Sequence, residues 1–355
     1  MKKTLLILAL ALTTSATFAQ DAPAPVSTPL EISGSGDLYY KYDLSKNPNI
    51  GTSFATDQNS VSLGMIDIAL KKKSGKASFV GEVSFGPRGQ FQSIPDSDGT
   101  YDNVSNSFHI QNLYVAYAAT DKLTLTAGYM GTFVGYEVIS PLANLNYSTS
   151  YLFTNGPFQN AGVKANYAFT SKVGLMVGAF NDQWNLYQAD PIKGLNAFGA
   201  QLSLTPVEGL SVYVNYLDGS VSGTVIDLTA AYQISKKFKL GLNAADYTGV
   251  ADDTGYTGFA LYPSYAITES FALALRAENF KAKKNSTYNS NDFSTGVVGD
   301  ESVTAFTLSA NLKSGNLTFI PEFRMDSGSE DMFSDSDLEL TKSASQVSLA
   351  VVYGF

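Results

Sequence analysis

The last ten residues of the chain, QVSLAVVYGF, constrain its fold more than any other segment. Val347, Leu349, Val351, Tyr353 and Phe355 share one parity, whereas the residues between them are mostly small or polar. Side chains alternate between the two faces of a β-strand, so one face of this segment is wholly apolar. The chain is therefore predicted to end in a strand with one continuous apolar face and an aromatic terminal residue.

The same alternation recurs from end to end and predicts about sixteen strands. Most of them are close to the roughly 9–11 residues that a tilted membrane-spanning strand requires. The predicted strands lie near 31–43, 60–73, 76–86, 106–118, 122–134, 160–169, 172–183, 196–205, 209–218, 222–235, 237–248, 255–266, 270–281, 301–313, 316–326 and 345–355.

The connections between the predicted strands alternate in length. Tight turns, such as Ser74-Gly75 and Ser314-Gly315, follow every second strand. Short turns at one end and longer loops at the other are typical of a membrane barrel with both termini in the periplasm. The longer, polar links span 44–59, 87–105, 135–159, 184–195, 282–300 and 327–344.

The first 19 residues have the three parts of a secretory signal peptide. Lys2 and Lys3 form a basic start, an apolar segment follows, and Thr17-Phe18-Ala19 is a small-x-small cleavage site. The apolar segment is shorter than the roughly 20 residues that a membrane helix requires. We therefore predict export, a signal peptide over 1–19, a flexible periplasmic lead-in over 20–30 and one domain over 31–355.

Composition excludes several classes of function. Charged residues make up 15% of the chain, while Tyr and Phe number 21 and 22. Few charges and many aromatic residues fit a barrel with a lipid-facing wall and aromatic girdles. The net charge of −9 becomes −11 without the two leader lysines, which argues against nucleic acid as a partner. Cysteine is absent, so disulfides and thiolate chemistry are excluded, and no cofactor is predicted.

Charged residues share the face opposite the apolar one. Along 316–326, for example, Phe319 and Phe323 alternate with Glu322 and Arg324. Either the charges face water around a soluble core, or they face a wet lumen inside a lipid-facing wall. The signal peptide, the even strand count and the terminal Phe favour the lumen. By parity the predicted pore-lining residues are Asp37, Lys41, Asp67, Lys71, Glu82, Lys164, Asp227, Arg276, Glu278, Glu322 and Arg324.

These lumen charges are nearly balanced, so they predict little ion preference by themselves. The acidic external loops are expected to add a weak preference for cations, because rings of like charge set pore selectivity. An alternative is that Arg276 pairs with Glu278, and Glu322 with Arg324, across the interior for stability alone.

The loop over 135–159 carries a resemblance to a known family. It contains Gly135-Tyr136-Glu137, then NYSTSYLF over 146–153, Gly156-Pro157-Phe158, and Asn160-Ala161-Gly162-Val163 just beyond it. This block resembles the OmpL-like β-barrel porin family, and the strand rhythm extends the resemblance over essentially the whole mature chain. The resemblance implies an antiparallel transmembrane β-barrel in the outer membrane of a Gram-negative bacterium, and a channel. It also implies that the terminal Phe355 is the signal read by the barrel-assembly machinery.

The same loop is predicted to narrow the pore. It is long and aromatic, and such side chains require burial, which the barrel mouth can provide. Glu137, Asn144, Asn146 and Asn155 would then line the eyelet. Packing on top of the rim, or an aromatic contact in a homo-oligomer, are the alternatives. The loop residues expected to form the constriction are Tyr136, Glu137, Asn144, Asn146, Tyr147, Tyr151, Phe153, Asn155 and Phe158.

Catalytic and metal-binding signals are weak. His109 is the only histidine, so a Ser-His-Asp hydrolase would have to use it, although its strand position favours a structural role at the rim. Acidic residues crowd two external loops and read either as solvated tips or as divalent-cation bridges to lipopolysaccharide. They are Asp326, Glu330, Asp331, Asp335, Asp337 and Glu339 in the last loop, and Asp96, Asp98 and Asp102 in another.

The sequence therefore predicts an outer-membrane porin that passes small polar solutes or ions by passive diffusion, with no enzymatic activity. Its expected partners are outer-membrane lipid and lipopolysaccharide, the assembly machinery, small polar solutes and further copies of the chain. A non-channel surface or adhesion protein, and an outer-membrane hydrolase, are the alternatives.

Overall fold

The computed structural model describes residues 27–86, 108–186, 188–189, 191–288 and 296–355, without the side chains of Phe108 and His109. The predicted signal peptide, most of the lead-in and the acidic residues Asp96, Asp98 and Asp102 lie outside these ranges. His109 lies in a strand, but the described part of the chain does not include its side chain.

Sixteen antiparallel strands close into a single barrel, which confirms the predicted fold class. Each barrel strand pairs with its sequence neighbour in the barrel, and the first strand pairs with the last to close it. The barrel strands are β1 (Glu31–Asp43), β2 (Ser60–Ser74), β3 (Ala77–Phe85), β4 (Phe108–Ala118), β5 (Leu123–Gly131), β6 (Gln159–Ala168), β7 (Val173–Asn181), β8 (Leu195–Leu204), β9 (Leu210–Gly219), β10 (Gly223–Gln233), β11 (Phe238–Thr248), β12 (Gly255–Ala266), β13 (Phe271–Ala282), β16 (Ser302–Ser314), β17 (Leu317–Gly328) and β20 (Ser343–Gly354).

The remaining elements belong to the loops. One short helix, α1, lies between β5 and β6, and two pairs of two-residue strands lie in the last two long loops. Among the described residues, no helix is long and apolar enough to cross a membrane. These loop elements are α1 (Tyr151–Asn155), β14 (Thr287–Tyr288), β15 (Val297–Val298), β18 (Phe333–Ser334) and β19 (Leu340–Thr341).

The two ends of the described chain meet at the closing seam. The Gly34 amide donates to the Phe355 carbonyl, and the Phe355 amide donates back to Gly34, both at 3.0 Å. Val351 stands opposite Leu38 in the same ladder. The terminal strand therefore completes the hydrogen bonding of β1, and neither strand leaves an unpaired edge.

The apolar faces of the strands point outward. Leu349 is 45% exposed and Leu273 37%, whereas Arg276 is fully buried and Glu322 is 5% exposed. Because parity fixes the face of each side chain, this arrangement extends along the strands. The outer wall is therefore apolar and the charged side chains point into the barrel.

Side chains from the loops that enter the barrel pack against inward-facing side chains of the strands and form a core inside the barrel. In the lumen the ring centroids of Tyr256 and Phe280 lie 5.0 Å apart, and those of Tyr151 and Phe280 lie 5.7 Å apart. Strand β5 ends at Gly131 rather than at the predicted residue 134, because the chain turns inward there. Phe133 packs on Phe180, with the ring centroids 5.8 Å apart.

Candidate functional site

The loop between β5 and β6, residues 132–158, lies within the barrel; we call it the inserted loop. It crosses the lumen and contacts the wall formed by β12, β13, β16, β17 and β1. The Tyr136 ring stacks on Tyr262 of β12 at 4.4 Å between centroids. At the far side, the Tyr147 hydroxyl donates to Asp37 of β1 at 2.5 Å. The loop therefore extends across the barrel interior from β12 to β1.

Two wall carboxylates accept hydrogen bonds from the loop backbone. The amides of Tyr151 and Leu152 donate to the two oxygens of Glu278, at 3.0 and 2.9 Å. The amides of Tyr147 and Ser148 donate to Glu322 in the same way, at 2.8 and 3.1 Å. Hydrogen bonds of backbone amides to a carboxylate are among the stronger ones, so each glutamate fixes one turn of the loop.

Arg276 binds the loop from β13. Its guanidinium forms a fully buried ion pair with Glu137 at 2.7 Å. It also donates to the carbonyl oxygens of Ser148, at 2.6 Å, and Thr149, at 3.2 Å. A planar cation with several donors suits this combination of a carboxylate and curved backbone.

Arg324 forms a second buried centre on β17. Its guanidinium donates to both oxygens of Asp326, at 2.8 and 2.9 Å, and to the Thr149 carbonyl at 2.8 Å. The Tyr151 hydroxyl donates to Asp326 at 2.8 Å. Burial raises the pKa of Tyr151 well above its usual range, so its hydroxyl stays a donor at neutral pH. The prediction that Asp326 belongs to a solvated external loop is wrong, because this residue lies in β17 and is buried in an ion pair.

Local sequence explains how α1 begins. The Ser150 hydroxyl accepts the Phe153 amide at 2.9 Å, as an N-cap serine does. The Ser150 amide and hydroxyl both donate to Glu137, at 2.7 and 2.6 Å. Glu137 thus links the start of the helix to Arg276 on the wall.

The root of the inserted loop is held by Asp227 of β10. The Gly135 amide donates to this carboxylate at 3.1 Å, and the side chain of Asn215 donates at 2.6 Å. Asn243 donates to its other oxygen. Gly135 has a φ of +89°, a region that favours glycine, which explains the glycine in the Gly-Tyr-Glu step.

The first external loop also packs against the inserted loop. The Ser53 amide donates to the Thr154 hydroxyl at 2.8 Å, and the Thr149 hydroxyl donates to the Ser53 carbonyl at 2.5 Å. Lys41 of β1 is buried nearby and donates to the Thr56 carbonyl at 3.2 Å. This contact was not predictable from the sequence, because it joins two loops that are far apart in the chain.

The structure divides the predicted pore-lining residues into two groups. Most are buried beside or beneath the loops: Asp37, Lys41, Asp67, Asp227, Arg276, Glu278, Glu322 and Arg324. Lys71, Glu82 and Lys164 are not buried. A role in lining open water stays a prediction, and it now concerns chiefly these three.

The predicted constriction residues are likewise divided. Asn146 was expected to line the eyelet, but its amide donates to the Ser309 hydroxyl at 2.8 Å and is buried against the wall. Asn144 bonds within the loop, accepting from the Val138 amide at 3.0 Å. The buried residues are Glu137, Asn146, Tyr147, Tyr151 and Phe158, and the partly buried ones are Tyr136, Asn144, Phe153 and Asn155.

Open space remains beside the inserted loop at two places, one against β2–β4 and the other against β8–β10. One cavity of about 260 Å³ is lined by Glu82, Asn112, Phe158 and Gln159 among others. A second, of about 460 Å³, is lined by Tyr136, Gln201 and Thr229. Asn112, Gln201 and Thr229 are neutral, so a search for charges missed them, although their parity was available from the sequence.

Comparisons with known proteins agree with this geometry. A family model described as "Putative beta-barrel porin-2, OmpL-like" matches residues 29–355. A comparison with curated protein sequences gives no match.

Solved structures with a similar fold are outer-membrane barrels. An anion-selective porin from Comamonas acidovorans is 13% identical with a TM-score of 0.61, covering 93% of this chain and 100% of that one. Salmonella typhi OmpF in complex with daunomycin is 12% identical with a TM-score of 0.60, covering 92% and 97%. The trimer form of in-vitro folded OmpT from Vibrio cholerae is 11% identical with a TM-score of 0.56, covering 93% and 100%.

Proposed function

The chain belongs to the OmpL-like β-barrel porin family, and we propose that it passes small polar solutes and ions by passive diffusion through the part of the lumen that the inserted loop leaves open. It is a porin of the Gram-negative outer membrane. The suspected family, the porin function and the location predicted from the sequence are thereby confirmed.

One observation carries the proposal: the inserted loop is fixed to the barrel wall at several points, while two cavities that include polar lining residues remain beside it. Glu278 and Glu322 hold the loop on β13 and β17. Glu82 of β3 lines one cavity, and Gln201 of β8 and Thr229 of β10 line the other. The loop therefore reduces the cross-section without filling it, and we assign it the size limit.

The mechanism is physical. A polar solute that enters hydrocarbon loses its hydrogen bonds to water at a cost of several kcal/mol. A barrel of about 16 strands can enclose an aqueous channel, in which the solute keeps its hydration. Neutral and charged side chains such as Gln201 and Lys164 supply hydrogen bonds along the way, so no chemical step is required and we assign no enzymatic activity.

The assigned partners follow from the same surfaces. The apolar outer wall contacts outer-membrane lipid and lipopolysaccharide, and the signal peptide directs export. Phe355 is assigned as the signal for the assembly machinery. Assembly into a homo-oligomer is proposed by analogy with the trimer form of a fold-related protein. A surface adhesion protein and a hydrolase are not favoured by the family and the fold.

Solute flux into proteoliposomes tests the function. Liposomes containing the folded barrel are expected to swell in small sugars and amino acids, at rates that fall steeply with solute size. Protein-free liposomes and liposomes containing a heat-unfolded sample are the controls. Swelling no faster than in protein-free liposomes, with the barrel shown to be folded, would contradict passive diffusion.

A further inference from the structure

Lysines are concentrated at the barrel end that carries the short turns. Lys71, Lys73, Lys239 and Lys313 lie at the turn ends of β2, β11 and β16, and Lys122 and Lys172 directly precede β5 and β7. In the turns themselves, Lys76, Lys172 and Lys237 each donate to a carbonyl of the next turn, at 3.2, 3.4 and 3.1 Å. In a porin this end faces the periplasm.

Most of these lysines stand on the lumen side of the wall. Along their strands, Asp67, Ser309 and Asn243 have side chains that are buried inside the barrel. Lys73 has the same parity as Asp67, and therefore faces the same way. Lys313 likewise has the parity of Ser309, and Lys239 has the parity of Asn243. Lys122 has the parity of Thr126, which is also buried inside.

In the described part of the chain, four of these lysines form no ion pair: Lys73, Lys122, Lys239 and Lys313. Three of them are exposed, and Lys239 is partly buried. Among the described residues, no carboxylate lies within ion-pair distance of any of the four. They therefore present positive charge to water at the periplasmic mouth; we call them the lysine ring.

The opposite end of the barrel is acidic. The last external loop alone carries Glu330, Asp331, Asp335, Asp337 and Glu339 against the single Lys342. The upper lumen adds more carboxylates than cations: Asp37, Glu137, Asp227, Glu278, Glu322 and Asp326 against Lys41, Arg276 and Arg324. Lysines at the short-turn end outnumber its carboxylates, Glu31, Asp121, Glu208 and Glu269, so net positive and net negative charge are separated along the pore axis.

We propose that this axial separation makes the pore conduct asymmetrically, with the lysine ring admitting anions from the periplasm and the acidic end admitting cations from outside. The inference rests on the proposed channel function. When the external side is positive, the field drives cations in through the acidic mouth and anions in through the basic mouth, so both carriers accumulate in the pore. The opposite field depletes both, so the current is smaller.

The distribution differs from what the sequence predicted. Balanced lumen charges and acidic loops predicted one weak preference for cations. With opposite charges at the two mouths, the periplasmic mouth instead prefers anions and the external mouth prefers cations. The lysine ring is the specificity-determining feature for anions.

The test is a current–voltage measurement on single channels of the full chain in planar bilayers. Because the chain has no cysteine, a Ser314→Cys substitution beside Lys313 marks the periplasmic mouth. A membrane-impermeant thiol reagent added to one side then reports the orientation of each channel. With the external side positive, we expect a roughly 1.5- to 2-fold larger current at about 0.1 M salt, falling toward equality at about 1 M, as the Debye length shortens from about 10 Å to about 3 Å.

Two variants separate the lysine ring from other causes of asymmetry. Replacement of the four ring lysines by Gln should bring the current ratio close to one. Lys72→Gln is the matched control. Lys72 is next to Lys73 in the chain but lies on the outward face of β2, so its replacement should leave the current ratio unchanged.

The outcomes distinguish this inference from the proposed function. Equal currents at both polarities in the unmodified protein, or an undiminished ratio in the four-lysine variant, would overturn the asymmetry and leave the channel intact. Absence of any current steps from a folded barrel would overturn the channel function as well.

Discussion

Arg276 is the residue on which the inserted loop depends most directly. Its guanidinium is fully buried between the Glu137 carboxylate and the carbonyl oxygens of Ser148 and Thr149. Loss of one partner from a buried ion pair leaves the other charge without compensation, which typically costs about 3–5 kcal/mol. The energetic role of Arg276 is therefore to make burial of Glu137 tolerable.

We expect Arg276→Gln to destabilise the barrel or release the loop by roughly 3–5 kcal/mol. The measurement is the urea midpoint of the folded barrel, together with protease cleavage within residues 132–158. Lys283→Gln is the matched control, since Lys283 pairs with Asp246 at 2.6 Å in a partly exposed position. Exposed pairs contribute about 0–1 kcal/mol, so the control should change little. Equal stability of the two variants would contradict the anchoring role of Arg276.

At the residue scale, the sequence correctly predicted which side of the barrel wall these charged side chains face, but it did not predict their ion-pair and hydrogen-bond partners. Parity placed Arg276, Glu278, Glu322 and Arg324 inside the barrel, where they are. The suggested pairs, Arg276 with Glu278 and Glu322 with Arg324, were wrong as the principal contacts. Arg276 pairs with Glu137, both glutamates accept loop amides, and Arg324 pairs with Asp326. The side of the wall that a side chain faces depends on the local alternation of the strand. Its ion-pair or hydrogen-bond partner depends on where a loop distant in sequence lies.

At the scale of elements, the inserted loop is held by contacts to strands that are themselves independently paired. Ladder hydrogen bonds join all neighbouring barrel strands, including β5 to β6 on either side of the loop. Removal of the loop body should therefore leave the barrel closed and let water reach Glu278 and Glu322.

Deletion of residues 140–155 is expected to raise single-channel conductance roughly twofold or more, because the narrowest section of a pore limits its current. A deletion of 335–339 in the last external loop is the control, since this acidic tip is exposed and should leave conductance within the spread of the unmodified protein. Unchanged conductance after the larger deletion, in a barrel that still resists heat and detergent, would rule out a constriction by this loop.

The strands themselves were predictable, and the ends of β5 show where prediction stopped. Alternation placed this strand at 122–134, whereas it spans Leu123–Gly131. Phe133 and Val134 continue an apolar pattern, but they pack inside the lumen rather than in the wall. Period-two alternation cannot distinguish a wall strand from a segment that packs in the lumen, because apolar side chains are removed from water in both.

At the scale of the whole molecule, the barrel followed from features that are local in sequence. The outward apolar face, the alternating short and long connections and the aromatic terminal residue each report on one strand or one turn. The path of the lumen did not follow, because it depends on which wall the inserted loop contacts. The position of the loop is set by hydrogen bonds that it donates to four carboxylates in different strands: Asp37, Asp227, Glu278 and Glu322.

Single-channel recording of the purified, unmodified barrel in a planar bilayer tests the central claim most directly. A water-filled path beside the inserted loop predicts discrete, reproducible current steps that scale with salt concentration. A folded, heat-modifiable barrel that inserts into the bilayer without any current steps would contradict the claim that this lumen is open.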